Sequence, residues 1–218
     1  MTATVLFGSF ALLLLLSVPI GISLGVATLL AIVYSGKIPL DFLAQGLITS
    51  IDSFPLMAVP FFILAGEIMA KGGLTERLFR VANKIVGNKT GGFAIATIIT
   101  CMFFAAISGS GPATVAAIGG MMIPAMVRQG YDKKFATAVV CAAGSLGVII
   151  PPSIPMVIYG VVGSVSIGNL FIAGVIPGIL VAVGLMVYAY LYSKKMGYRG
   201  TEEKSTFSGF LKAVWDAK

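Results

Sequence analysis

Two long stretches without a single charged side chain constrain this chain more than any other feature. Residues 90–127 and residues 135–193 contain no Asp, Glu, Lys or Arg, and charged residues make up only 11% of the sequence. Soluble domains carry roughly 25% charged residues, which cover their water-facing surface. We therefore predict an all-α integral membrane protein. The composition argues against a soluble enzyme, a nucleic-acid-binding domain and a disordered tail.

The basic residues lie before, between and after these apolar stretches. They occupy 71–89, 128–134 and the tail from 194, with Lys37 alone outside. Cytoplasmic loops of membrane proteins are enriched in Lys and Arg, so all three groups are predicted to lie on one, cytoplasmic side. This placement accounts for the net charge of +7 without a nucleic-acid partner.

Residues 90–127 are predicted to form a helical hairpin. The stretch is too long for one crossing of a bilayer core of about 30 Å, and it begins and ends beside basic residues. A helix-breaking run from Ser108 to Pro112 lies in its middle. The second arm, 113–127, is shorter than a full span, which favours a re-entrant hairpin. Two full spans joined by a tight external turn are the alternative.

Residues 135–163 are predicted to form a discontinuous helix. Its break contains Gly144, Gly147 and the pair Pro151 and Pro152, and proline removes a backbone donor and disfavours helix at the residue before it. After a turn near 163–169, a further helix returns to the basic side by residue 193.

The N-terminal region leaves alternatives open. Residues 3–34 fit either one long helix kinked at Pro19 or two short helices, and residues 54–70 fit a further apolar helix. Glu67, near the end of that helix, is interpreted as an ion-paired helix-end charge, with a coupling acid as the alternative.

Irregular backbone at membrane depth leaves amides and carbonyls that protein, water or a ligand must satisfy. In secondary transporters, broken helices bind Na⁺ through freed carbonyls and hydroxyls, and helix N-termini attract anionic groups. The charge-free core argues against a proton relay through buried carboxylates. With no His and two Cys in separate apolar runs, we expect Na⁺ as the only metal, no organic cofactor and no catalytic residues.

Several motifs together resemble one family. Residues 103–114 read Phe-Phe-Ala-Ala-Ile-Ser-Gly-Ser-Gly-Pro-Ala-Thr, and residues 145–155 read Ser-Leu-Gly-Val-Ile-Ile-Pro-Pro-Ser-Ile-Pro. Further matches are Ile123–Met126 followed by Gly130 and Tyr131, residues 171–178, and residues 53–67. From about residue 5 to 200 the chain resembles the large membrane subunit of TRAP transporters, the tripartite ATP-independent periplasmic transporters.

This resemblance implies a multi-span helical bundle that is one half of an inverted-repeat elevator transporter. The implied function is Na⁺-coupled import of a small organic anion, sialic acid or a C4-dicarboxylate, across the bacterial inner membrane. The implied partners are a periplasmic substrate-binding protein, a small four-helix membrane subunit and the lipid bilayer. A re-entrant-loop channel and a non-transporting membrane scaffold are the alternatives.

The resemblance also implies a set of site residues. The expected Na⁺ ligands, mostly through carbonyl oxygens, are Ser108, Gly109 and Ser110 at the hairpin tip, and Gly144, Ser145, Gly147 and Val148 at the break. The expected substrate contacts are Ser110, Thr114 and Ser153, while Pro112, Pro151 and Pro152 are expected to shape the breaks.

The predicted organisation has four parts. Residues 1–89 are N-terminal scaffold and arm helices, and residues 90–165 are transport-domain elements, with the hairpin at 90–127 and the broken helix at 135–163. Residues 166–200 are a membrane helix returning to the cytoplasm. Residues 201–218 are a cytoplasmic linker toward a second repeat, which the family has and this sequence lacks.

Overall fold

A computed structural model of the chain describes residues 1–52, 54–200 and 215. Within these ranges it has eleven α-helices and no strand, which confirms the predicted all-α class. The predicted linker 201–218 lies outside the described residues apart from Trp215. The chain divides into two compact units, Met1–Phe54 and Pro55–Lys218.

The first unit resolves the choice at the N-terminus in favour of two short helices. It contains α1 (Thr2–Leu15), α2 (Ile20–Ser35) and α3 (Asp41–Ile51). The chain reverses between α1 and α2 at Ser17, whose φ is +61°. The Tyr34 hydroxyl at the end of α2 lies 3.9 Å from the Met1 sulfur, so the two helices run side by side as a hairpin.

The second unit contains the predicted hairpin and broken helix. Its helices are α4 (Phe54–Lys71), α5 (Leu74–Val86), α6 (Gly92–Ser108), α7 (Gly111–Arg128), α8 (Lys133–Gly144), α9 (Leu146–Ile149), α10 (Ile154–Val162) and α11 (Ile167–Met196). The hairpin consists of α6 and α7 with Gly109 and Ser110 between them. The broken helix consists of α8, α9 and α10, interrupted at residues 150–153.

Two helical segments of the second unit are long and apolar enough to cross a membrane. They are Lys133–Val162, which includes the break, and Ile167–Met196. The α6 arm is apolar but, at about 1.5 Å per residue, its length of about 25 Å falls short of a bilayer core. The second arm, α7, has 18 residues and is about 27 Å long, which is longer than the predicted arm at 113–127. The two long segments correspond to the broken helix and the returning helix expected from the sequence.

The hairpin lies at the centre of the second unit. Along α6, the buried residues Ile98, Cys101 and Phe104 pack in one apolar core with Met122 of α7 and Val140 of α8. The buried hydroxyls of Thr97 and Thr100 donate to the carbonyls of Phe93 and Ala96, so the α6 helix satisfies its own polar side chains. The buried side of this arm therefore has no unpaired hydroxyl at these two positions.

The basic end of the hairpin is fastened to the end of α11 by aromatic rings. The Tyr131 ring lies 4.5 Å from that of Tyr198, and Phe135 stacks on Tyr192 at 4.3 Å, measured between ring centroids. The Tyr198 hydroxyl accepts a hydrogen bond from the Asp132 amide at 3.1 Å. Burial raises the pKa of the Tyr131 phenol. The phenol is therefore neutral in the fold, as its packed position requires.

Close backbone approach completes this fastening. Gly91 precedes α6 with a φ of +69°, and a Cβ there would lie 2.7 Å from both the Cβ and the hydroxyl oxygen of Ser193. The Gly91 amide also donates to the Tyr198 carbonyl at 3.4 Å. A side chain at position 91 would therefore push α6 away from α11.

Gly91→Ala is expected to destabilise the detergent-solubilised transporter more than Gly197→Ala. Both glycines have positive φ, at +69° and +74°, so alanine adds a backbone cost of about 1–2 kcal/mol at each. Only Gly91 also meets a neighbouring side chain, which adds about 1–3 kcal/mol of overpacking. Thermal unfolding midpoints measure the difference, and equal losses for the two variants would contradict the fastening.

Candidate functional site

The hairpin tip is a sharp turn at Gly109 and Ser110, between the end of α6 and the start of α7. Gly109 ends α6 with a φ of +62°, in the left-handed region that favours glycine. Ser110 is the N-cap of α7, where its hydroxyl accepts from the Ala113 amide at 3.4 Å. Pro112 lies in the first turn of α7, where a missing amide costs nothing.

The tip is hydrogen-bonded to the far end of the break. The Ile154 amide, which begins α10, donates to the Gly109 carbonyl at 3.0 Å. A Cβ at Gly109 would lie 2.7 Å from the Pro152 carbonyl oxygen. The two segments expected to hold Na⁺ therefore meet, although they are distant in sequence.

Glycines allow the same close approach at the near end of the break. A Cβ at Gly147 would lie 2.7 Å from the Ser110 carbonyl carbon and 2.9 Å from the Gly111 nitrogen. A Cβ at Gly111 would lie 3.1 Å from the Gly144 carbonyl oxygen. Backbone therefore packs directly on backbone, and a carbonyl oxygen of each segment, from Ser110 and from Gly144, lies beside a glycine of the other.

The tip and the break carry the same capping motif. Ser110-Gly111-Pro112 begins α7, and Ser153-Ile154-Pro155 begins α10. The Ser153 hydroxyl accepts from the Met156 amide at 3.4 Å and donates to the Val148 carbonyl at 2.6 Å. Each helix N-terminus carries partial positive charge. The starts of α7 and α10 therefore bring two partial positive charges together, in apolar stretches that contain no Lys or Arg.

Hydroxyl groups inside the hairpin stabilise the tip. Ser108 and Thr114 are buried, and their hydroxyls are 3.1 Å apart. The Thr114 hydroxyl donates to the Ser110 carbonyl at 2.8 Å. Ser108 and Thr114 therefore hold the turn from within, while Ser110 is only half-buried at the surface of the tip.

The other expected site residues at the break do not offer a free side chain to a ligand. Ser145 is exposed, and its hydroxyl donates to the Ala142 carbonyl at 2.7 Å, so its side chain is used within its own helix turn. The Val148 carbonyl accepts from Ser153, and Pro151 and Pro152 are half-buried in the break. At Ser145 and Val148 the backbone, rather than the side chain, remains the candidate ligand, while Pro151 and Pro152 stay expected only to shape the break.

Helix α11 supports the break from the other side. A Cβ at Gly174 would lie 2.7 Å from the Ile149 carbonyl oxygen, and one at Gly178 would lie 2.6 Å from the Ile150 side chain. Leu146 of α9 is buried with Ala105 of α6 and Ala182 of α11. The break is therefore clamped between the hairpin and α11.

A cavity of about 380 Å³ lies between α4 and the hairpin. The lining residues with polar side chains are Glu67, Ser108 and Ser110. Glu67 is exposed and lies 3.8 Å from the Lys71 amine, which agrees with the ion-paired interpretation of this residue. A Cβ at Gly66 would lie 3.3 Å from Ser108, so α4 also approaches the tip closely.

The donor set at the tip and the break suits a hard cation. It consists of neutral carbonyl and hydroxyl oxygens, the ligand type that alkali and alkaline-earth ions prefer. Among the described residues, no group of three or more His, Cys, Asp or Glu side chains is arranged to hold a metal. A cation at this site would therefore be held by backbone and hydroxyl oxygens.

Two contributors to the site were not singled out from the sequence. Gly111 provides the contact with Gly144, and Gly66 provides the contact with Ser108. The repeated Ser-X-Pro spacing in both segments is a signal that could have paired the two helix starts. No local signal marks Gly66, because its contact depends on how α4 packs.

The family model for the tripartite ATP-independent periplasmic transporter DctM component matches residues 7–216. The chain belongs to this family. The match covers both the hairpin and the broken helix, which confirms the resemblance drawn from their motifs. It makes the chain the N-terminal region of a TRAP large permease subunit, a multi-pass membrane protein of a transporter family.

Curated relatives agree with this membership. The isethionate TRAP transporter permease protein DctMQ of Oleidesulfovibrio alaskensis is 57% identical over 98% of this chain and 34% of its own length. A C4-dicarboxylate TRAP transporter large permease protein of Rhodobacter capsulatus is 41% identical over 99% of this chain and 53% of its own. A sialic acid TRAP transporter large permease protein of Vibrio cholerae is 40% identical over 85% of this chain and 44% of its own length. The DctM-family chain thus spans about a third to a half of these relatives.

The close contact at Gly147 gives a test of the paired site. Gly147→Ala is expected to reduce uptake by the assembled transporter at least tenfold, because its Cβ would push the tip away from the break. Gly120→Ala is the matched control in α7, since a Cβ there meets nothing within 4 Å. Initial uptake rates in proteoliposomes, normalised to protein amount, measure the effect. Equal activity in both variants would show that transport does not need the contact.

Proposed function

We propose that this chain is the N-terminal half of the large membrane subunit of a Na⁺-coupled importer of small organic anions that works by an elevator movement. The observation that carries the proposal is the hydrogen-bonded contact between the hairpin tip and the helix break, from the Ile154 amide to the Gly109 carbonyl. This contact gathers neutral oxygens and two helix N-termini at one place. The oxygens suit Na⁺, and the N-termini suit an anion.

The depth of the tip supports a re-entrant hairpin. The break at 150–153 begins after α9, about 25 Å along a span that starts at Lys133, and α10 continues for nine residues, about 14 Å, beyond it. Because the tip is bonded to the break, it ends within this span rather than beyond its far end. Loops that hold polar backbone at such a depth are tolerated where they line a binding site.

The proposed substrates are small anions with a carboxylate or sulfonate group. Relatives are named for isethionate, C4-dicarboxylates and sialic acid, each of which carries such a group. In this chain, the starts of α7 and α10 would face the anionic group, with the half-buried hydroxyl of Ser110 as the direct contact. Thr114 and Ser153, the other expected contacts, are both buried, and their hydroxyls donate to the Ser110 and Val148 carbonyls. Gly109, Gly144 and Gly147 would give Na⁺ close access to carbonyls.

The proposed partners follow from family membership. They are a small four-helix membrane subunit and a periplasmic substrate-binding protein, and the proposed location is the bacterial inner membrane. The basic residues at 128–134 and 194–199 would then lie on the cytoplasmic side. The elevator movement would carry the hairpin and the broken helix together, since their backbones are packed on each other.

Uptake by the reconstituted transporter tests this function. Proteoliposomes with the whole transporter and its binding protein should accumulate labelled isethionate, succinate or sialic acid only under an inward Na⁺ gradient. A K⁺ gradient of the same size should give no accumulation. Downhill flux without Na⁺ dependence would favour a channel, and no flux for any anion would favour a scaffold.

Two serines separate hydroxyl from backbone contributions. Ser110→Ala is expected to raise the Na⁺ concentration for half-maximal uptake about fivefold, equivalent to one hydrogen bond of about 1 kcal/mol. Ser145→Ala is the control, because that hydroxyl is exposed and bound to Ala142. Both variants keep their carbonyls. The Na⁺ dependence of initial rates measures the shift. If Ser110→Ala leaves the Na⁺ concentration for half-maximal uptake unchanged, the Ser110 hydroxyl is not a Na⁺ ligand.

A further inference from the structure

A second concave surface lies away from the tip and the break, between α8 and α11. We call it the α8–α11 groove, and its volume is about 380 Å³. One wall is formed by Ala138 and Ala142 of α8, and the facing wall by Leu185, Tyr188 and Tyr192 of α11. The small side chains of α8 opposite large ones of α11 leave the space between the helices.

The groove runs along the membrane-spanning direction. Lys134, Ala138 and Ala142 are four residues apart, so they share one face of α8 over about 12 Å. Its floor contains Phe135, which stacks on Tyr192. The groove therefore begins at the basic end of two spans and continues along apolar side chains.

Charge and aromatic side chains at the open end match the headgroup region of a bilayer. Lys134 lies at the rim, and Lys195 follows Tyr188 and Tyr192 on the same face of α11. Tyrosines and lysines at this level are typical of the membrane interface. The one acidic group at the rim, Asp132, already accepts hydrogen bonds from the amides of Lys134 and Phe135, at 2.8 and 3.1 Å.

We propose that the α8–α11 groove binds an anionic phospholipid, with one acyl chain between the helices and the headgroup beside Lys134 and Lys195. Basic side chains at the cytoplasmic ends of membrane helices attract anionic headgroups. An apolar groove of about 12 Å buries the first part of an acyl chain, and each buried methylene contributes to the hydrophobic free energy of binding. The proposal rests on the chain spanning a membrane and not on the identity of the transported anion. Its occupant would fill the space between the broken helix and α11.

Native mass spectrometry of the whole detergent-solubilised transporter tests the site. The transporter is delipidated and then exposed to phosphatidylglycerol or phosphatidylcholine at equal concentration. We expect the transporter to retain one more lipid molecule after exposure to phosphatidylglycerol than after exposure to phosphatidylcholine. Excess inorganic phosphate should not displace it, because the acyl chain contributes to binding.

Two kinds of variant distinguish the contribution of the apolar groove to lipid binding from that of the lysines. Ala138→Trp should abolish retention by filling the groove, with Ile176→Trp, 69% exposed elsewhere on α11, as its control. Lys134→Gln and Lys195→Gln should each weaken the retention of phosphatidylglycerol about fivefold. Lys133→Gln is the control, because Lys133 lies on another face of α8, and it should leave retention unchanged.

The alternative outcomes overturn the proposal. Equal retention of both lipids, unaffected by the lysine changes, would show that no anionic headgroup is recognised. Loss of assembly in Ala138→Trp, combined with no lipid retained by the unaltered transporter, would show that protein covers the groove.

Discussion

The hydrogen bond from the Ile154 amide to the Gly109 carbonyl joins two pieces of backbone that regular helices leave unsatisfied. A turn between two helices and a break within a third each expose polar groups, and in a membrane those groups need partners. Here each irregular segment supplies partners to the other. The glycines at 109, 111 and 147 follow from this constraint, because a Cβ at each would press on the backbone of the other segment. At Gly144 a Cβ would instead meet the Val115 side chain of α7.

The rest of the second unit keeps that contact in register. At the basic end, aromatic rings and the tight approach of Gly91 to Ser193 fasten the hairpin to α11. At the other end, Gly174 and Gly178 let α11 pack against the break. The hairpin is thus fixed to α11 at its base and to the broken helix at its tip, which makes these elements suited to moving as one body.

The sequence predicted the helical class, the hairpin and the broken helix because each has a local cause. Charge-free stretches define the apolar helices, and Gly, Ser and Pro mark their interruptions at 108–112 and 144–155. The Gly109–Ile154 bond, the Gly66–Ser108 approach and the α8–α11 groove could not be predicted in this way, because they depend on packing between distant segments. The choice between one and two N-terminal helices likewise required the reversal at Ser17.

The central claim is that Na⁺ binds the tip and the break as one site. Hydrogen–deuterium exchange of the whole transporter tests it most directly, with NaCl compared against choline chloride at equal ionic strength. Na⁺ is expected to slow exchange in peptides covering 109–114 and 145–156 together, over the same concentration range. A peptide covering 189–198, at the aromatic end, should be unchanged. Slowing in only one of the two segments, or in neither, would contradict a shared site.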